Sequence, residues 1–399
     1  MLDILYVSEF CSDVVFNDIL NSSVIKPSQS CQKYHKLLFE GLSYQDEVFM
    51  IESISKVPVN FKSHKKLFWN IRKESKNKIR MNYAPLINLP IIRTVTLMIY
   101  SFFKTLLWRK TNNDKVIICD VLSLSVTIGV LFAAKINGFK CIGIVTDLPY
   151  YQERINLKSK IIKGIVYHFI SMYDAYILMT EKMNEIVNVR RKPYCIIEGL
   201  VDINMQSVDI ISEKAFPRDI MYTGALLETF GLKVLIEAFM TIKNEDITLS
   251  IYGGGPMEKD IIQLSKKDKR IRYFGVVNND DVVKEQLKAT LLVNTRLTNI
   301  DFAEYSFPSK NIEYMVSGTP VVTTALSGIP YEYFDYVYIF DDETVNGIAL
   351  TLNKLLSMPY CDLLLKGTNA KNFVLKNKNN YSQALMITNF IHNNWYNKF

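Results

Sequence analysis

The chain has 399 residues, 49% of them apolar and 22% charged, with a net charge of +7 and six scattered cysteines. That composition excludes a disordered chain, and the length calls for two domains of roughly 200 residues each rather than one core. The cysteines form no Cys-x-x-Cys pair and read as small core residues in a reducing compartment, while Asp3 and Glu9 bracket too short an apolar run for a secretory signal.

In chain order, strand-like runs are expected at Leu2–Ser8, Glu47–Glu52, Lys115–Val121, Cys141–Thr146, Asp174–Met179 and Pro193–Ile197. Between Lys62 and Arg80 lie eight basic residues and one acid, a local excess equal to that of the whole chain, with Phe61, Phe68 and Trp69 interleaved. An apolar run from Ile91 to Phe103 follows, closed by Lys104, Trp108, Arg109 and Lys110. Thirteen residues are too few to cross a bilayer, which takes ~20, so the run reads either as an interfacial helix or as a core helix beside a solvated charge run. On the interfacial reading Lys65, Lys66, Trp69, Arg72 and Lys73 are the membrane-docking residues.

A weakly periodic stretch from Gly199 to Pro217 separates two series. The second has strand-like runs at Asp219–Thr223, Ile247–Tyr252, Ile271–Gly275, Thr290–Thr295, Thr319–Thr324 and Tyr336–Phe340, with helical patterns at Gly231–Lys243, Met257–Lys267 and Asn279–Ala289. A terminal helix is expected over Gln383–Phe399. Alternation of this kind argues an α/β design of two doubly wound parallel domains, 1–200 and 201–380, with 381–399 packing back toward the first.

The candidate chemistry gathers where parallel strands end, because ligands bind beyond their carboxyl edge. Phe307, Pro308 and Ser309 open a helix whose free N–H groups favour an anion, Lys310 adds a full charge there, and Glu313 lies on the same helix face. Phosphates on the helix tip and ribose hydroxyls on the carboxylate suit a nucleotide; a surface Lys–Glu pair at a helix start reads equally well from spacing. Gly224 ends one strand, Gly253 and Gly254 the next, and the backbone at Val276 is placed to read a base edge. Arg296 ends the fourth strand, where a guanidinium holds a diphosphate bidentately or makes a surface ion pair. In the first half Asp147 follows an apolar strand, as a carboxylate for acceptor or sugar or as a turn residue. The four histidines have no metal-ligand spacing and no Asp-x-Asp pair is present, so no metal is expected.

These residues resemble a known family. FPSKNIEYMVSGTPVV (307–322), Asn294-Thr295-Arg296, Tyr222-Thr223-Gly224 with GLKVLIEAF (231–239), and less specifically IYGGGP (251–256), are similar to the GT-B glycosyltransferases, in particular the retaining family 4 enzymes of bacterial capsule, exopolysaccharide and O-antigen assembly. The resemblance implies two Rossmann-like domains facing a cleft and hexosyl transfer from a nucleotide-sugar, UDP or GDP favoured. It implies no other cofactor, a lipid-linked acceptor, no nucleic acid, and a cytoplasmic protein peripheral on the inner face of the membrane. It places Glu313 on the ribose and Tyr305 at the position of a sugar-binding glutamate, with Glu304 beside it. The arginine and lysine usual after the first strand of the second domain fall at Ala225 and Phe230, leaving Lys310 and Arg296 for the diphosphate. Asp147 follows Thr146 where relatives carry a His-Asp pair. A 2-epimerase of the same architecture, an inactive partner subunit and a nucleic-acid surface are the rival readings.

Overall fold

The computed structural model describes residues 1–108, 112–149, 157–210, 217–300 and 303–396; Arg109, Lys110 and Phe399 lie outside them. Two compact units result, 1–200 with 380–399, and 201–379.

The strands of the first unit are β1 (Leu2–Ser8), β2 (Val48–Ser55), β3 (Phe68–Trp69), β4 (Glu74–Lys76), β5 (Ile79–Met81), β6 (Leu86–Ile87), β7 (Asp114–Asp120), β8 (Lys140–Val145), β9 (Ala175–Leu178) and β10 (Tyr194–Ile196). Its helices are α1 (Asp13–Ser22), α2 (Gln29–Ser43), α3 (Pro90–Leu106), α4 (Leu124–Asn137), α5 (Leu157–Ile170) and α6 (Glu181–Val187). Eight strands form one sheet in the order β10-β9-β8-β7-β1-β2-β5-β4, parallel except for β4. The central strands are buried on both faces, which is why β1 reads as a largely apolar run from Ile4 to Val7 rather than an alternating one.

The second unit contains β11 (Arg218–Thr223), β12 (Ile247–Tyr252), β13 (Ile271–Gly275), β14 (Leu291–Asn294), β15 (Val321–Thr323) and β16 (Tyr338–Ile339). They form a wholly parallel sheet in the order β13-β12-β11-β14-β15-β16. Its helices are α7 (Leu232–Thr241), α8 (Glu258–Lys267), α9 (Asn279–Lys288), α10 (Ser309–Ser317), α11 (Val345–Ser357) and α12 (Tyr360–Asn377). Leu235, Phe239, Leu249, Val293, Leu352 and Leu363 are among the residues of its core. The direction of winding changes between β11 and β14, the point where doubly wound sheets open a crevice. The last helix, α13 (Asn380–Ile391), returns to the first unit and lies on α2, so closely that a Cβ at Gly41 would stand 2.1 Å from the Asn380 carbonyl oxygen.

Three strands match the expected residues throughout, β1, β12 and β13. Elsewhere the ends move. The run 319–324 pairs only over Val321–Thr323, since Pro320 has no N–H to give to a ladder, and 336–340 narrows to two residues. The terminal helix starts earlier than expected, at Asn380, and ends at Ile391 in a π turn over His392–Tyr396. Pro308 takes the cap position one residue before α10 rather than a place in its first turn.

Helices α3 and α4 touch through small residues. A Cβ built on Gly129 would lie 2.2 Å from the Met98 carbonyl oxygen and 2.5 Å from Ser101 Oγ, and that hydroxyl donates to the Val126 carbonyl at 2.7 Å. Gly129→Val therefore overpacks the contact and is expected to destabilise the fold by ~1–3 kcal/mol. Thermal unfolding checks it; an unchanged midpoint would show that the two helices do not hold this spacing.

Candidate functional site

The second unit's switch point is built by Gly224 after β11 and Arg296 after β14, with the start of α10 beside them. Two glycines make the approach possible. Gly224 has φ +133° and Gly253 has φ +135°, conformations that side chains rarely adopt. A Cβ on Gly224 would fall 1.7 Å from Lys310 Nζ, and one on Gly253 would fall 1.8 Å from the Gly224 carbonyl oxygen. The strand ends are cross-braced by Gly224 N–H to Tyr252 O at 2.9 Å and Gly253 N–H to Gly275 O at 2.8 Å. The backbone ledge is thus stacked tightly enough for the lysine to lie across it.

The two cations flank one aromatic ring. Arg296 Cζ stands 4.8 Å from the Phe230 centroid, and Lys310 Nζ 5.5 Å from the same ring and 4.8 Å from that of Tyr222. Arg296 also donates through Nη1 to Ser306 Oγ at 2.8 Å. Ring faces attract the cations and keep them side by side despite their mutual repulsion. Burial pushes the Lys310 ammonium down to about 8, against the pull of Glu313 and with a further push from Arg296. A half-buried ammonium with a second cation near it is an environment that favours an anion.

Helix α10 is fixed by polar contacts on its inner face. Tyr314, fully buried, accepts from the Thr223 N–H at 2.9 Å. Asn294 donates through Nδ2 to Asn311 Oδ1 at 2.8 Å, and Asn311 in turn donates to Thr323 Oγ1 at 3.1 Å. These bonds tie α10 to the ends of β11, β14 and β15 and set where Lys310 and Glu313 emerge.

Of the expected residues, Gly224, Gly253, Arg296, Lys310 and Glu313 come together here. Gly254 and Val276 meet one another, a Cβ on Gly254 falling 2.9 Å from Val276 Cγ2. Tyr305 lies on a short 3-10 turn, Ala303–Tyr305, next to Ser306. Phe307 turns inward, its ring 5.4 Å from that of Tyr333, and Pro308 is buried, so only Ser309 of this trio is exposed. The sequence reading quoted Tyr222 and Tyr314 only within motifs and gave them no role, missed Ser306, and took Phe230 only for a lost cation. Contacts that span dozens of residues leave no local signal.

Asp147 stands exposed beyond β8 in the first unit. Burial, then the carboxylates of Asp120 and Glu9, push the Cys31 thiol well up; Lys56 opposes them and Asp147 adds a smaller push. Asp147 therefore shares the carboxyl rim of the first sheet with Glu9, Cys31 and Lys56. Lys65, Lys66, Arg72 and Lys73 are exposed, and Lys66 Nζ lies 4.7 Å from the Trp69 ring.

Residues 217–358 match the family described as Glycosyl transferases group 1. The chain is similar over nearly its whole length to a sucrose-phosphate synthase (tll1590) from Thermosynechococcus elongatus, with a TM-score of 0.69 at 14% identity, covering 98% of this chain and 99% of that one. Anabaena Alr3699/HepE in complex with UDP-glucose superposes with a TM-score of 0.64 at 12% identity, covering 98% and 99%. The lipopolysaccharide outer core galactosyltransferase WaaB gives 0.57 at 16% identity with the same two coverages. No curated protein sequence is similar enough to match. At such identities the likeness is one of fold, and the fold is GT-B.

Proposed function

We propose that this chain is a retaining glycosyltransferase, moving a hexosyl group from a nucleotide-sugar to a lipid-linked or polysaccharide-precursor acceptor in bacterial surface polysaccharide synthesis. The observation that carries the reading is the pair of cations, Arg296 and Lys310, beside the glycine ledge and the start of α10. As the glycosidic bond breaks, charge grows on the departing nucleoside diphosphate, and fixed cations stabilise it there without waiting for solvent. Glu313, one helical turn along, accepts from the ribose hydroxyls, and the backbone around Gly254 and Val276 meets the base. Asp147 is assigned to the acceptor or the transferred sugar, and Tyr305 to the sugar. UDP is the favoured nucleotide, since Anabaena Alr3699/HepE holds UDP and UDP-glucose on a similar fold. The enzyme works on the cytoplasmic face of the membrane, held there in part by Lys65, Lys66, Trp69, Arg72 and Lys73, and needs no divalent metal.

The test is a thermal-shift series against UDP, GDP and their sugars, with and without EDTA. A ligand at about 100 times its dissociation constant adds ~2.7 kcal/mol of stability. An EDTA-insensitive shift with one base is the expected result, and Glu313→Gln should weaken nucleotide affinity by about 10–100-fold, the loss of a charge-assisted hydrogen bond of ~1.5–3 kcal/mol, read as a much smaller shift at the same ligand concentration. A chain that no nucleotide stabilises is not a nucleotide-sugar transferase.

A further inference from the structure

Helix α3 is built inside out. Its inward row is Leu97, Ser101 and Thr105, fully buried against α4, while Ile92, Val95, Ile99 and Phe103 run along its outer face, each between 43% and 54% exposed. Ile91 and Leu107 extend that row at either end, at 80% and 75%. A helix stabilised by water on one side shows the opposite arrangement.

The apolar surface continues over the neighbouring helices. Helix α4 exposes Phe132 and Ile136, and Phe132 meets Phe169 of α5 edge-on at 6.3 Å. Helix α5 exposes Leu157, Ile161 and Ile165, spaced one turn apart. The sequences of α3, α4 and α5 contain Arg93, Lys104, Lys135, Lys158, Lys160 and Lys163 and no aspartate or glutamate. The basic strip 65–73 joins this face at its edge. There β3 pairs with β6, Asn88 donates to the Lys66 carbonyl at 3.2 Å, and Arg93 of α3 donates to the Val59 carbonyl at 2.9 Å.

We infer that the outer surface of α3, α4 and α5 is a membrane-contacting face that inserts its apolar rows at the headgroup boundary of an anionic bilayer. Among the described residues no single helix is long and apolar enough to cross a membrane, whereas α3, 17 residues and ~25 Å long, has the length and one-sided apolarity to lie in the interface. Charge decides for lipid over a second copy of the chain. Apart from Lys104, which pairs with Glu52 of β2 at 3.8 Å, a two-fold contact through this face would set basic residues against the same basic residues with no carboxylate from these helices between them. Anionic headgroups satisfy both features together. The inference deepens the membrane part of the proposed function and rests on it for its purpose; the donor site is independent of it.

The experiment is flotation of the full chain with vesicles of phosphatidylglycerol and phosphatidylethanolamine, and with phosphatidylcholine alone. The wild-type chain should float with the anionic vesicles. Replacing Ile92, Val95, Ile99 and Phe103 with serine should cut that binding at least tenfold and leave its UDP thermal shift intact. Exchanging Lys65, Lys66, Arg72 and Lys73 for glutamine should weaken it and flatten its salt dependence. Anionic-vesicle binding by the serine variant equal to wild type overturns the inference, because the contact is then one of charge alone. So does a wild-type dimer, seen by light scattering, that the serine variant converts to monomer. Vesicle binding without any nucleotide shift would sink the donor reading and leave this one standing.

Discussion

Lys310→Ala is expected to lower kcat by about 10²–10³, the loss that follows removal of one fixed donor from a developing anion. Lys310 lies against Gly224, shares the Phe230 ring with Arg296, and stands in the first turn of α10. Among the described residues Lys310 is the lysine that Gly224 and the Phe230 ring meet. The same lysine makes donor affinity depend on pH. Burial holds its ammonium down at about 8 in the free protein, below its ordinary value. A bound diphosphate favours the charged form and raises that value, so binding should weaken as pH climbs through about 8 and take up most of a proton above it. Calorimetry in buffers of differing ionisation enthalpy reads the proton directly. For stability the sign runs the other way. A lysine whose folded value is depressed opposes folding while it is charged, so the ligand-free protein should gain stability as pH rises above about 8 toward the ordinary lysine value. Lys310→Met should abolish that rise and stabilise the free protein at neutral pH. Unchanged turnover and pH-independent binding in the variants would remove Lys310 from the donor site.

Gly224→Ala comes second. The new methyl meets the far end of the lysine, 1.7 Å from Nζ and 2.2 Å from Cε, so Lys310 must swing away, and the backbone at φ +133° is strained for any side chain. Such strain is ~1–3 kcal/mol, visible as a lower melting midpoint. The kinetic effect should approach that of Lys310→Ala, and the double variant should be little worse than the more damaged single one. Additive losses in kcat would mean that the glycine serves the ligand directly and not through the lysine.

Two of the strands most legible in the sequence, β1 and β12, are buried at every position, while β13 alternates. Strands β1, β12 and β13 read as short apolar-rich runs between turns, interrupted by Asp3, Thr248, Ser250 and Arg272, and they fall on the residues expected. The region 62–87 was legible only as charge. Its strands are two or three residues long, and part of what holds them is side-chain bonding that no pattern announces, such as Asn82 N–H to Ser53 Oγ at 3.1 Å and the Tyr83 hydroxyl to Glu74 at 2.6 Å. Lys310 and Glu313 were legible because three residues along a helix is a local distance. Phe230 was misread for the opposite reason. It is 66 residues from Arg296 and 80 from Lys310, and its value as the ring under two cations exists only once β11, β14 and α10 are side by side.

The return of α13 to the first unit gives chain synthesis an order of events. Asn380, Gln383, Ala384, Ile387, Thr388 and Ile391 are buried in a unit whose other residues end at Leu200. A ribosome working at ~5–20 residues per second emits α13 roughly 10–40 s after the rest of that unit. Through that interval the surface of α2 that α13 covers is open to water, to chaperones and to neighbouring nascent chains. A premature stop near codon 380 would spare every residue of the proposed donor site and still leave the protein short of a wall.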